Sequence, residues 1–241
     1  MFTNKKKLGI IGGMGPAATA LLFQKIIEYT DAGKDSEHIP LIIDNNTAIP
    51  DRTTAIMNGD KTPVVQICES GKRLIHCGAQ MILIPCNTSH YFYQDIQAQL
   101  SVPVVNMISE VAKECVTYGY KKVGILATTG TCKTGIYDKT LSKYGIEAVY
   151  PTEDEQSKVM ELIYDQIKAG KAMNPHIVEK CLKRMMEDEV QAFILGCTEL
   201  PIALKDGIFG CRFVDSLDIL AKRAVELAGG KLKRNIDKGE L

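Results

Sequence analysis

The sequence predicts an α/β protein of two pseudo-symmetric domains, each a mainly parallel sheet flanked by helices. Two observations on pattern and one on repetition predict it. Short runs rich in Ile, Val and Leu are continuously apolar, as strands covered on both faces are. They alternate with segments of helical period, which is the signature of an α/β chain. The chain also repeats itself in order. Residues 7–15 resemble 122–130, 81–88 resemble 192–198, and 102–106 with the following helix resemble 212–215 and its helix. The offset is 115 from Gly9 to Gly124, 111 from Cys86 to Cys197 and 109 from Asn106 to Asp215. Chance likeness between apolar strands does not keep three units in order at a near-constant offset; an internal duplication does.

Strands are expected over 8–11, 41–43, 81–84, 102–105, 123–126, 193–195 and 213–214. The first runs into Gly12-Gly-Met-Gly-Pro16, a turn that opens a helix with Pro in its first turn. Val64, Ile67, Cys68, Leu74 and Ile75 mark a second helix by their spacing. Ile108, Val111, Ala112, Cys115 and Val116 mark another, stopped by Gly119. Leu217, Leu220, Ala221, Ala224, Val225 and Ala228 mark the last, stopped by Gly229. The duplication divides the chain into a first domain of 1–101 with 212–241, the C-terminal helix returning to it, and a second of 102–211.

The chain has 241 residues, 45% apolar, and can bury a large core. With 29 Lys+Arg against 29 Asp+Glu it has no general attraction for nucleic acid, and its basic clusters at 5–7 and 231–234 read as solvated ends. No apolar run approaches the ~18 residues of a membrane span. The stretch after Lys7 is broken by Gly12, Gly13 and Gly15, unlike a signal-peptide core. A soluble, cytoplasmic protein without nucleic-acid or membrane partners is expected. None of the eight cysteines is spaced Cys-x-x-Cys and the four histidines form no zinc pattern, so no metal site is expected. Nor does a cytosolic chain of this size need disulfides.

Ligands of α/β sheets bind where strands end and helices begin. Cys86 and Cys197 occupy that place in equivalent halves, each followed by a polar turn. The amides of such turns face an anion and are expected to lower a thiol pKa from its usual ~8.5. One such cysteine alone is more simply a buried strand cap; a matched pair brought to one cleft suggests chemistry. The other six, Cys68, Cys77, Cys115, Cys132, Cys181 and Cys211, read as packing residues. Two thiols flanking a small anion can invert a stereocentre, a thiolate taking the Cα proton from one face and a thiol returning one to the other. Asn87, Thr88, Thr131 and Thr198, with nearby amides, are the available donors for the charge that develops.

Gly12-Gly-Met-Gly-Pro16, Ile49-Pro-Asp-Arg-Thr53, Pro85-Cys-Asn-Thr-Ser-His90 and Gly196-Cys-Thr-Glu-Leu-Pro201 resemble the aspartate/glutamate racemase family, in its aspartate racemase branch. The resemblance spans nearly the whole chain. It implies a homodimeric racemase without cofactor, its active site between the two domains, with Cys86 and Cys197 as its two thiols and a small acidic amino acid, aspartate first, as substrate. It places Arg52 and Lys168 near the side-chain carboxylate, where the planar fork of an Arg suits bidentate pairing. Met14 and Ser89, in the same motifs, complete the expected substrate-binding set. Lys168 has an alternative reading, as a cation complementing a helix C-terminus before Gly170. Glutamate or broad amino-acid specificity is the alternative within the family, since one methylene is worth only ~1–3 kcal/mol in a pocket.

Two readings of other classes compete. Gly13-Met-Gly15-Pro16-Ala17-Ala18 fits a dinucleotide fingerprint of an NAD(P)-dependent enzyme, but the acid at the second strand, Asp44, stands 31 residues after Gly13 rather than about 20. The repeated turn 128–131 lacks the fingerprint altogether. A non-enzymatic amino-acid binding protein would leave the paired thiols without a role.

Overall fold

The computed structural model describes residues 5–234; residues 1–4 and 235–241, the ends of the first expected domain, lie outside it. Every strand pairing is parallel. In the first sheet β1 (Leu8–Gly12) lies between β2 (Leu41–Asn45) and β3 (Met81–Leu83), and Val104 continues beyond β3 through one bridge to Ile82. The second sheet comprises β4 (Lys122–Ala127), β5 (Glu147–Val149), β6 (Ala192–Gly196) and β7 (Phe213–Asp215), in the order β5-β4-β6-β7. The two orders are the same once Val104 is matched to β7, as a duplicated half requires. Each sheet is apolar on both faces. In β1, for example, Leu8 and Ile10 enter one core layer and Ile11 the opposite one.

The helices are α1 (Pro16–Tyr29), α2 (Arg52–Met57), α3 (Thr62–His76), α4 (Tyr93–Gln97), α5 (Met107–Thr117), α6 (Thr129–Thr134) and α7 (Ile136–Leu141). They continue with α8 (Glu153–Met160), a π-helical segment Glu161–Ile167, α9 (Glu179–Glu187), α10 (Leu200–Ala203) and α11 (Ser216–Leu227). At equivalent places in the repeat, Asn106 caps α5 by accepting from Ser109 N (3.0 Å), and Asp215 caps α11 by accepting from Leu217 N (2.8 Å). From these caps the two helices cross over. Ile108, Val111 and Cys115 of α5 pack with Val123 and Ile125 of β4, whereas Leu217, Leu220 and Ala224 of α11 pack with Leu8, Leu22 and Ile26. Each sheet's last strand therefore feeds a helix into the core of the other sheet.

Two expected elements differ. Residues 102–105 make only the bridge at Val104, because Gln97 occupies the outer edge: its Oε1 accepts from Val104 N (2.7 Å) and its Nε2 donates to Val102 O (3.2 Å). Side-chain amide groups there replace a further strand. Conversely β5 has no apolar run, since Glu-Ala-Val at a half-exposed edge carries too little hydrophobicity to signal a strand. Among the packing cysteines Cys77 differs too: it lies exposed beyond the end of α3, where the chain leaves the core. No helix among the described residues is long and apolar enough to cross a membrane.

Candidate active site

Cys86 follows β3 and Cys197 follows β6, the strands beside β1 and β4, and both thiols line one small cavity. Of the residues expected at the site, Met14, Arg52, Asn87, Thr88, Lys168 and Thr198 line it with them. Ser89 and Thr131 do not. Ser89 is buried and donates to Met14 Sδ (3.4 Å), and Thr131 lies behind Thr88. The hydroxyls of Thr88, Thr128 and Thr131 form a buried triangle with edges of 2.9 to 3.2 Å.

The backbone around Cys86 is held from behind. His90 Nε2 accepts from Met107 N (3.1 Å), so the ring proton sits on Nδ1 and is donated to Cys86 O (2.9 Å). Burial lowers the pKa of His90, in keeping with a neutral ring. The two thiol turns are also stitched to one another. Thr198 Oγ1 donates to Pro85 O (3.2 Å). Asn87 Nδ2 donates to Ser216 Oγ (2.9 Å), which donates to Leu195 O in β6 (2.7 Å). Tyr137, fully buried, donates to Asn87 Oδ1 (2.6 Å). The Asn87 side chain thus spends both its oxygen and one N–H on this frame.

Cys197 Sγ donates to Glu199 Oε2 (3.0 Å). Burial raises the Cys197 pKa well above its ordinary value, and the Glu199 carboxylate raises it further, against the pull of Lys168. The expected lowering by the turn amides is therefore reversed at Cys197: a four-residue helix cannot offset full burial beside a carboxylate.

Two cations face the thiols. Arg52, only 7% exposed, donates from Nη1 to Ile49 O (3.2 Å) and Pro50 O (2.9 Å) and from Nη2 to Met14 O (3.0 Å). Its Nε has no partner. Burial works against its charge, yet Cys86 and Asp51 outweigh that and raise its pKa. Lys168 is placed by the π-helical segment, where its N–H bonds Ile163 O five residues back (3.0 Å). Such segments recur at functional sites. Its Nζ stands 4.4 Å from the centroid of the Tyr164 ring. Burial again opposes the charge, but Cys197, Glu199, Tyr164 and Cys86 raise its pKa, so one ammonium feels both thiols.

Sequence reasoning missed five cavity residues: Asp51, Thr53, Thr128, Tyr164 and Glu199. The signal was present for most of them. Asp51 and Thr53 flank Arg52, Glu199 belongs to the second cysteine motif, and Tyr164 precedes Lys168 by one helical turn. Asp51 Oδ1 accepts from Thr54 N (2.8 Å) at the start of α2, and Oδ2 accepts from the Tyr164 hydroxyl (2.9 Å) across the cavity. The glycine turn after β1 closes one side. At Gly13, with φ +91°, a Cβ would stand 2.3 Å from the Asn46 backbone, and the Gly13 amide is spent on Thr19 Oγ1 (3.1 Å). That turn serves packing against β2 and the cavity wall rather than a dinucleotide phosphate.

Comparison with known proteins gives a family to this arrangement. Residues 11–224 match the family model for Asp/Glu/hydantoin racemases. The fold superposes on the aspartate racemase of Picrophilus torridus with a TM-score of 0.82 and 32% identity, covering 95% of this chain and 96% of that one. It superposes on an aspartate racemase homologue from Pyrococcus horikoshii with a TM-score of 0.78 and 31% identity, covering 93% and 99%. The broad-specificity amino-acid racemase RacX of Bacillus subtilis is 28% identical over 222 residues, 90% of this chain and 96% of that protein. With a paired-thiol cavity in the same two-sheet fold and a match over nearly its full length, the chain belongs to the Asp/Glu/hydantoin racemase family, an isomerase family that works without a cofactor.

Proposed function

We propose that the chain racemises an acidic amino acid, aspartate before others, by two-base proton transfer between Cys86 and Cys197. The observation that carries this reading is the pair of thiols on equivalent strand ends lining one cavity with two cations, the buried Arg52 and the more exposed Lys168. In one direction a thiolate takes the Cα proton and becomes a thiol, while the opposite thiol gives its proton to the other face and becomes a thiolate. The reverse turnover, or exchange with solvent, restores the starting state. Between the two transfers the negative charge spreads onto the α-carboxylate, where the Thr88 and Thr128 hydroxyls and nearby amides are the donors at hand. Arg52 offers its free Nε edge, and Lys168 its ammonium, to the side-chain carboxylate. The division into a domain of 1–101 with 212–241 and one of 102–211 belongs to this reading, the site lying between the two.

A second reading, broad specificity, draws on the name of the B. subtilis relative and on the three backbone carbonyls that occupy much of the Arg52 fork. Incubation in D2O with a panel of acidic and neutral amino acids tests both. Aspartate should lose its Cα–H and its optical rotation fastest; comparable rates for alanine or lysine would favour the broad reading. Cys86→Ser and Cys197→Ser should each abolish racemisation while exchange from one face survives. Full racemisation by either variant would overturn the two-base assignment.

A further inference from the structure

Four buried side-chain polar atoms among the described residues have no hydrogen-bond partner, and three of them belong to the candidate active site: Arg52 Nε, Thr53 Oγ1 and Glu199 Oε1. Buried polar atoms are nearly always paired, so a cluster of orphans in one cavity points to a ligand that pairs them. Their chemistry says which kind. An unpaired cationic donor and an unpaired anionic acceptor facing one small space complement a zwitterion.

Glu199 is the sharper of the two. It is 3% exposed, and its Oε2 already accepts from Cys197 Sγ (3.0 Å) and lies 3.3 Å from Thr198 Oγ1. Oε1 is left bare. A Cβ on Gly15 would stand 3.1 Å from it, so the glycine keeps that side of the carboxylate open. Asp51, the other carboxylate at the cavity, is already engaged on both oxygens, by Thr54 and by Tyr164.

Resting on the racemase reading, we infer that Glu199 Oε1 seats the α-ammonium of the substrate, and that this one carboxylate makes the site select amino acids over acids and cyclic ureides that lack an ammonium. A mechanistic consequence follows. The carboxylate that receives the ammonium is the one that holds the Cys197 proton. An ammonium on Oε1 offsets its charge and weakens its grip on that proton, so an amino-acid ligand helps to ready Cys197 and a deamino analogue does not.

The test compares calorimetric affinities of the amino acid that the wild-type chain racemises fastest and of the same acid without its amino group; for aspartate the pair is aspartate and succinate. A charge-assisted hydrogen bond predicts that the wild type prefers the amino acid by ~10-fold or more. Glu199→Gln, isosteric but uncharged, should weaken the amino acid by ~10-fold while leaving the deamino analogue unchanged or tighter. Equal wild-type affinity for the two ligands overturns the inference without any variant, so it does not depend on how the variant folds. Equal weakening of both ligands by Glu199→Gln overturns it as well. A wild-type chain that racemises no amino acid would instead overturn the racemase reading, and this inference with it.

Discussion

Arg52 shows how one side chain serves as both wall and ligand. Its guanidinium has five N–H donors, and three backbone carbonyls, from Ile49, Pro50 and Met14, hold it in place. The Met14 contact joins the α2 entrance to the glycine turn of β1, which lies 38 residues away. What remains is the Nε edge, pointing to a role in anion binding. Arg52→Lys keeps the charge but loses the fork. It should reduce kcat/KM for aspartate by ~10-fold or more, and reduce that for alanine much less, because only aspartate carries a second carboxylate. Equal loss for both substrates would make Arg52 a clamp of the turn and nothing else. The sequence marked this residue through the motif that also holds Ile49 and Pro50, but the third carbonyl, Met14 O, comes from a turn that no local pattern joins to it.

At the level of elements, the thiols are positioned by bonds between the turns more than by the turns themselves. Each residue after a cysteine crosses to the other motif: Asn87 reaches Ser216 and thereby β6, and Thr198 reaches Pro85. These partners are 129 and 113 residues apart in sequence, which is why motif spacing located both turns yet read Asn87 and Thr198 only as substrate donors. Tyr137 in α7 anchors the frame from a fully buried position. Tyr137→Phe leaves Asn87 Oδ1 without its donor inside the protein, which should cost ~1–3 kcal/mol in a urea melt. It should also lower kcat with little change in KM, because small misplacements of reacting groups cost up to ~100-fold in rate. Stability lost with kcat intact would show that the frame supports folding alone. The strand reading failed at Val104 and β5 for a related reason. Gln97 ends one sheet with side-chain groups, and a three-residue edge strand needs no apolar run.

For the whole molecule, the repeat in sequence was the most informative signal, since matching strand orders in two sheets follow from one duplicated half. Apolar runs and repeat offsets are readable because burial on both faces demands them along every central strand. The crossing of helices between cores is a tertiary outcome that no single half encodes. The same cores carry free thiols, and they set an alkaline limit on stability. Burial pushes Cys115 and Cys181 up to about 12, one in each core of the second sheet. An unfolded thiol titrates near ~8.5. Between these values the unfolded chain has released protons that the native chain still holds, so stability falls as pH rises, by at most about 1.4 kcal/mol per pH unit for each thiol. Below ~8 the effect vanishes, because both states are protonated. Urea melts from pH 7 to 10 should therefore show a plateau followed by a decline, within a window that precedes most tyrosine ionisation near ~10. Cys115→Ala should lower stability at pH 7 through its cavity but make the decline shallower by one group. An unchanged slope in that variant would mean that the thiol titrates alike in both states, and that its burial has no influence on the alkaline limit.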